Sequence, residues 1–408
     1  MKRILIFSLN YYPHYVGGAE VAIKEITDRI DPEEIEFHMV TLRIDSTLQK
    51  IEKIGNVTVH RIGFTLPKPS IADLKKFPLQ FNKYYFQIGA YWKAARLQKK
   101  YSFDAVWGMM AHSCAIPAGL FKKKFSKVAY VLTLQEGDPP EHIERMMKPV
   151  WGMFSRGFTS ADAVQPISMF LKHWAERRGV TGIMVVIPNG VDVKTFSKSF
   201  TSEEIRAEHD VMNKKEDEVY LITTSRLVHK NGIDSVIRAL PLLPEHVHFI
   251  IYGIGPDEEK LKALAAELGV TVRTHFKGAR PYAELPLALK ASDIFIRPSR
   301  SEGMGNSFIE AMAAGIPVIA TQEGGIADFL FDANRNPDNP ATGWAVDVNS
   351  PKQIAEAVES ILANPEAAKI VTSSAKKYIS QDYEWDSIAT RMMALFMKSI
   401  DAVSRVTK

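Results

Sequence analysis

Short runs of aliphatic and β-branched residues alternate along the chain with longer segments whose apolar positions recur every three or four residues. In the first half these are Ile4–Leu9 with a helical pattern over Ala19–Ile30, then Phe37–Leu42, Ala105–Trp107 with a helical pattern continuing to Lys124, and Val128–Leu134. Strand-like runs separated by helix-period segments predict βαβ units and a parallel sheet. The rhythm restarts at Val219–Thr224, Val247–Tyr252, Val272–Phe276, Ile294–Arg297 and Val318–Ala320, with helices over Asp257–Leu268 and Asn306–Ala314. The pattern predicts an α/β protein of two doubly wound domains. A length of 408 residues, too great for one ordinary core, agrees.

Between the two halves lies Pro188-Asn189-Gly190-Val191-Asp192, followed by a polar stretch over residues 194–218 in which apolar periodicity weakens. This places a first domain at residues 1–190 and a second at 191–384. A last helix near Trp385–Val403 has apolar residues at helical spacing but follows the completed second sheet. Within residues 385–408 it therefore needs a surface to cover, and packing back on the first domain supplies one.

Composition narrows the class. Apolar content of 46% and charged content of 24% are globular values, which excludes a disordered chain. One cysteine, Cys114, rules out an internal disulfide framework and multi-cysteine metal sites, and points to the cytoplasm. The run Ile4–Leu9 is too short for a signal-peptide core, and no stretch approaches the roughly 20 apolar residues that cross a bilayer. Charge is uneven: residues 1–190 carry 26 Lys and Arg against 17 Asp and Glu, and the remainder 25 against 30. A basic first half fits an anionic surface or lipid, or an ordinary solvated face. Nucleic-acid binding is not expected from so modest an excess.

Open parallel sheets bind ligands beyond the carboxyl ends of their strands, where helix N-termini attract anions, so the strand-to-helix loops carry the candidate chemistry. Tyr12-Pro13-His14-Tyr15-Val16-Gly17-Gly18-Ala19-Glu20 follows the first strand. Its glycine amides suit a phosphate or a sugar hydroxyl, or simply make a tight turn. Ser225-Arg226-Leu227-Val228-His229-Lys230-Asn231-Gly232 follows the first strand of the second half. There Arg226 can fork onto phosphate oxygens with Lys230 as a nearby point charge; a solvated basic pair is the plainer account. Pro298-Ser299-Arg300-Ser301-Glu302-Gly303-Met304-Gly305-Asn306-Ser307-Phe308-Ile309-Glu310 places Glu302 in a loop and Glu310 in the helix after it, with loop amides and helix dipole aimed at an anion. Smaller elements are Gly253-Ile254-Gly255-Pro256, Gly324-Gly325-Ile326-Ala327-Asp328, and His112 in a loop after Ala105–Trp107.

In this order the segments resemble the family 4 (group 1) retaining glycosyltransferases of the GT-B fold, and the likeness covers almost the whole chain. It rests on Gly17-Gly18, Ala161-Asp162-Ala163-Val164 with Ser168, the 188–192 junction, Arg226 with Lys230, and Gly253-x-Gly255-Pro256. Its most specific part is the pair Glu302 and Glu310 eight positions apart, with Pro298-Ser299 before and Gly324-Gly325 after. The resemblance implies two Rossmann-like domains facing an interdomain cleft, and a nucleotide-diphosphate sugar as co-substrate, with no other cofactor. It implies that Arg226 and Lys230 hold the donor diphosphate, Glu310 the ribose, and Glu302 with the loop Gly303, Met304, Gly305 and Asn306 the transferred sugar. Gly17 and Gly18 approach the diphosphate and acceptor, and His112 matches the family histidine near the reacting carbon. Catalysis then falls to His112, Arg226, Lys230 and Glu302, by front-face substitution in which the leaving phosphate helps deprotonate the acceptor.

Three positions depart from the family pattern: Leu134-Gln135-Glu136-Gly137-Asp138 where many members have His-Gly, Asp328 for a usual Glu, and Met304 for a frequent aromatic. No Asp-x-Asp metal motif is present, so no catalytic metal is expected. Phe77–Tyr101 and 121–127 interleave aromatics with Lys75, Lys76, Lys83, Lys93 and the run Lys122-Lys123-Lys124. Such segments can lie on an anionic membrane and reach a lipid-linked acceptor, or can be helix surface. The expected partners are therefore a nucleotide-sugar donor, a glycan, lipid-linked or small-molecule acceptor, and a membrane touched peripherally. Alternative functions of the same fold are a nucleotide-sugar epimerase, a phosphorylase, or a degenerate nucleotide- or glycan-binding protein.

Overall fold

The computed structural model describes residues 1–14, 17–70 and 72–406. The chain divides into two compact units, residues 1–189 with 385–408, and residues 190–384. Both are α/β units built on mainly parallel sheets. The architecture is GT-B in its components: two Rossmann-like units, each with its own core.

The sheet of the first unit contains β1 (Lys2–Phe7), β2 (Ile35–Leu42), β3 (Ile51–Ile54), β4 (Val57–Ile62), β5 (Ala105–Met109), β6 (Ala129–Leu134), β7 (Ala163–Pro166) and β8 (Ile183–Met184). Their order is β3-β4-β2-β1-β5-β6-β7-β8, and only the β3–β4 hairpin is antiparallel. The order reverses between β1 and β5, the topological switch point at which such sheets bind ligands. Helix α1 (Gly18–Asp28) follows β1, α2 (Asn82–Tyr101) precedes β5 and α3 (Ala111–Lys124) follows it. Residues pointing to either face are buried, as parallel strands covered by helices require.

The C-terminal helix Trp385–Val406 completes this unit's core. Trp385, Ile388, Met392, Phe396 and Ile400 pack with residues of β1, β2 and β5, and Phe396 sits edge-on to Trp107 at 5.1 Å. The apolar stripe seen at helical spacing is thus covered by the first unit.

The sheet of the second unit is β11-β10-β9-β12-β13-β14, wholly parallel, built from β9 (Val219–Thr224), β10 (Val247–Tyr252), β11 (Thr274–Gly278), β12 (Ile294–Arg297), β13 (Val318–Ala320) and β14 (Trp344–Ala345). Its switch point lies between β9 and β12. β11 begins two residues later than its apolar pattern predicts, because Thr271–Arg273 form a 3-10 turn.

The polar stretch 194–218 is not a loose connection. Val193–Phe196 and Ser202–Met212 are helices of the second unit, the latter started by Thr201 and Glu204 in a capping box. Most of the longer helix is exposed, which hides its period, and among its few buried side chains is Glu208, forked by Arg280. A buried carboxylate is stable only with such a partner, and sequence does not show one 72 residues away. No helix of the described residues is long and apolar enough to cross a membrane.

Candidate active site

The candidate residues fall at the two switch points. In the second unit Arg226 and Lys230 lie in the connection after β9, Glu302 through Gly305 in the loop after β12, and Asn306 at the start of the helix that follows. These loops are locked together by their backbones. The Arg300 N–H donates to the Lys230 carbonyl at 2.6 Å, and the Arg300 guanidinium forks onto both Asp234 oxygens at 2.8 Å. Burial opposes it, but that fork holds the Asp234 carboxyl below the usual range. Arg226 itself is exposed and Lys230 half-buried.

Two glycines are explained by close approach. A Cβ on Gly324, at φ +63°, would lie 2.0 Å from the Glu302 carbonyl oxygen, which also accepts the Gly325 N–H at 3.0 Å. A Cβ on Gly253 would lie 1.8 Å from the Ser225 carbonyl oxygen. Both therefore serve the stacking of strand-end loops, and the backbone at Ser225 and Glu302 is fixed by its neighbours.

The helix Asn306–Ala314 opens after Gly305 with no side-chain cap and no acid in its first turn. With no acid there, the positive end of its dipole favours an anion. Glu302 is anchored by Arg297, whose Nη2 donates to Glu302 Oε1 at 2.8 Å and whose Nη1 donates to Ser307 Oγ at 2.7 Å. Burial pulls the Arg297 guanidinium below its ordinary value, and Glu302 and Glu310 oppose that shift. Burial pushes Glu310 up to about 7, against a hydrogen bond from Tyr282 and the Arg297 charge. Met304 is 1% exposed, so what this residue can offer a sugar is its main chain, not the side chain in the place of an aromatic.

In the first unit Gly17 and Gly18 follow β1, and His112 follows β5. Tyr15 and Val16 of the glycine loop lie outside the described residues. Gly17 is the N-cap of α1, and its N–H donates to Glu20 Oε2 at 2.7 Å. The amide expected to meet a ligand is thus taken by the helix's own glutamate. Burial raises the Glu20 pKa above the ordinary value.

His112 is not in a loop: it is the second residue of α3, separated from β5 only by Met110, which has φ +69°. One residue in this uncommon region replaces a connecting loop. The His112 N–H donates to Glu136 Oε1 at 3.3 Å, and its Nδ1 lies 3.5 Å from the same oxygen. Glu136 is 1% exposed; it also accepts the Ala111 N–H, and its Oε2 accepts the Gln135 N–H at 3.0 Å. The departure at Leu134-Gln135-Glu136 therefore puts a buried carboxylate at the N-terminus of α3.

Arg297 was not among the residues singled out from sequence, Glu136 was marked only as a departure from the family pattern, and Glu20 only as the end of the glycine-loop segment. The signal for Arg297 is a charge closing the otherwise apolar strand Ile294–Arg297, and for Glu136 an acid just beyond Ala129–Leu134. Among the described residues no three His, Cys, Asp or Glu side chains are grouped to hold a metal ion.

Two family models match the chain: Glycosyltransferase Family 4 over residues 16–195, and Glycosyl transferases group 1 over residues 204–378. The chain is 28% identical over 319 residues to a GDP-mannose-dependent alpha-(1-6)-phosphatidylinositol monomannoside mannosyltransferase of Mycobacterium tuberculosis, spanning 75% of this chain and 79% of that one. It is 25% identical over 406 residues to the corresponding monoacylated-substrate mannosyltransferase of Corynebacterium glutamicum, spanning 96% and 97%. Its fold is similar to that of a sucrose-phosphate synthase from Thermosynechococcus elongatus (TM-score 0.81, 19% identity, 98% of this chain and 100% of that one). It is also similar to Anabaena HepE solved with UDP-glucose (TM-score 0.76, 19% identity, the same coverage).

Proposed function

The chain belongs to the family 4, group 1 glycosyltransferases, and from that premise we propose that it is a retaining, metal-independent hexosyltransferase acting from a nucleoside diphosphate sugar onto a glycan or lipid-linked acceptor. The observation that carries this reading is the second unit's switch point. A half-buried Lys230 is tied through its carbonyl to Arg300 of the loop that carries Glu302, and an exposed Arg226 shares its loop, ahead of a helix first turn free of acids.

In the proposed reaction the bond between the anomeric carbon and the diphosphate breaks, and the acceptor oxygen bonds to the same face of that carbon. The departing phosphate oxygen takes the acceptor proton. Arg226, Lys230 and the positive end of the 306–314 helix stabilise the charge that develops on the diphosphate, the part a divalent cation plays elsewhere. Glu310 accepts from the ribose hydroxyls, and Glu302 and the 303–306 main chain hold the sugar; a part for His112 in catalysis follows from the family resemblance alone.

The relatives that are named as GDP-mannose-dependent make GDP-mannose the first donor to test, with UDP-glucose second because HepE was solved with it. Thermal shift against GDP, UDP, ADP and their sugar conjugates, with chelator present, tests the donor site. A ligand at 100 times its Kd stabilises the folded state by about 2.7 kcal/mol. Stabilisation by one nucleotide family in chelator is expected; a response that appears only with added metal would sink metal independence.

A lipid-linked acceptor, reached from the cytoplasmic face of a membrane, is supported by α2 and the segment before it. Tyr84 (76% exposed), Tyr85, Ile88 and Trp92 (55%) lie at helical spacing on α2, Phe77 (77%) and Phe81 precede it, and all are exposed, beside Lys75, Lys76 and Lys83. Apolar rings with flanking lysines suit an anionic interface. Co-sedimentation with vesicles of phosphatidylglycerol and phosphatidylcholine is expected to retain the wild type and to lose a Phe77→Ser/Tyr84→Ser/Trp92→Ser variant. Equal binding by both, or none by the wild type, would leave a glycan acceptor in solution as the better reading.

A further inference from the structure

Arg297 is hard to explain as packing. The other residues of β12 are Ile294, Phe295 and Ile296, all fully buried, and Arg297 ends the strand 6% exposed. Taking a guanidinium out of water costs several kcal/mol unless it is well paired, and an apolar side chain suits such a strand better. What Arg297 gains is a fixed set of contacts at the mouth of the sheet: Glu302 Oε1 at 2.8 Å, Ser307 Oγ at 2.7 Å, and the Phe308 ring 4.2 Å from its guanidinium carbon. Space for it is made by Gly305, where a Cβ would lie 2.7 Å from Arg297 Nη2 and 2.6 Å from the Phe308 ring.

We infer that Arg297 is a positioning residue that pins one carboxylate oxygen of Glu302, leaving the other as a single fixed acceptor for one hydroxyl of the transferred sugar. This rests on the reading that Glu302 meets that sugar. Two anchors set the guanidinium plane, one in the loop at Glu302 and one on the helix at Ser307, so the free Glu302 oxygen cannot rotate to suit a sugar of another configuration. Arg297 thus acts on recognition of the sugar, whereas Arg226 and Lys230 act on the diphosphate. Substitutions at 297 should separate the two.

The test measures affinities of two pairs of probes, GDP with GDP-mannose and UDP with UDP-glucose, by titration calorimetry, using whichever pair the wild type binds. Arg297→Met removes the charge at similar length, Arg297→Lys keeps it without the fork, and Glu302→Gln is the control for the underlying reading. Circular dichroism and melting curves establish that each variant is folded; if Arg297→Met is not, Arg297→Lys decides. The expected result is an affinity for the nucleotide sugar about tenfold lower in the Arg297 variants, with the nucleoside diphosphate within about twofold of wild type. Adding Arg297→Lys to Glu302→Gln should then lower it no further, since coupled residues are not additive.

The inference is overturned if a folded Arg297→Lys keeps the wild-type preference for nucleotide sugar over nucleotide while Glu302→Gln loses it. It is equally overturned if both ligands weaken together, the mark of a merely structural role. Should Glu302→Gln itself leave nucleotide-sugar affinity unchanged, or neither pair bind the wild type, the reading of the donor site fails first and this inference falls with it.

Discussion

Two helix N-termini invite comparison, one in each unit. α1 and the helix Asn306–Ala314 each follow a strand at a switch point, and each begins after a glycine N-cap. α1 closes its own positive end: Glu20, at the third helical position, reaches back to the Gly17 N–H. The 306–314 helix has no acid in its first turn, and Glu302 beside it is turned to Arg297. The paired glycines at 17 and 18 therefore do not by themselves mark an anion site. What separates the two is where the carboxylates are held, and this supports the proposal that the diphosphate meets the second unit.

The largest effect should come from the cations and Glu302. Lys230→Ala or Glu302→Ala is expected to lower turnover by roughly 10²–10³-fold if each stabilises the transition state as preorganised groups do, checked by steady-state kinetics on folded variants. Placing an acid in the first turn of the second unit's helix comes next. Asn306→Glu puts an acid in the first helical turn and should weaken nucleoside diphosphate binding by about tenfold or more, given a like-charge interaction of a few kcal/mol near a protein surface. Calorimetric affinities unchanged by Asn306→Glu would break the comparison.

Glu310 supplies a pH test. With its pKa raised to about 7 from an ordinary 4.5, the folded chain keeps a proton that the unfolded chain releases. Its contribution to stability is complete below 4.5 and is lost as pH rises through about 7. The melting temperature of the wild type should therefore fall relative to Glu310→Gln between these values and run parallel above them. Donor affinity should move the other way, rising about tenfold through pH 7 as the carboxylate becomes a charged acceptor, and staying flat in the variant. The smallest effect belongs to Glu20. Glu20→Ala should cost about 1 kcal/mol of stability, the worth of a helix cap, and leave nucleoside diphosphate affinity alone. A marked gain in that affinity would mean that Glu20 shields an anion site in the first unit.

Much of the fold was legible in the chain. β9, β10, β12, β13 and the 306–314 helix coincide with their apolar patterns residue for residue, since buried parallel strands read as short apolar runs. The stretch 194–218 did not, because the helix Ser202–Met212 buries Glu208 against Arg280, a pairing invisible to local pattern. His112 was misread as a loop residue because Met110 turns the strand into the helix in one step through a positive φ that methionine seldom adopts.

The sequence by itself determined the alternation of strands and helices, the loops at strand ends, and which of them carry cations, glycines and the two glutamates. Those are local properties: period, turn chemistry and charge at a position. Only the tertiary structure decided that Gly17 is closed by Glu20, that Glu136 sits buried at the start of α3, and that Arg297 holds Glu302. Each is a contact of a buried or half-buried charge, and its partner is set by how strands and loops are brought together rather than by the residues beside it in the chain.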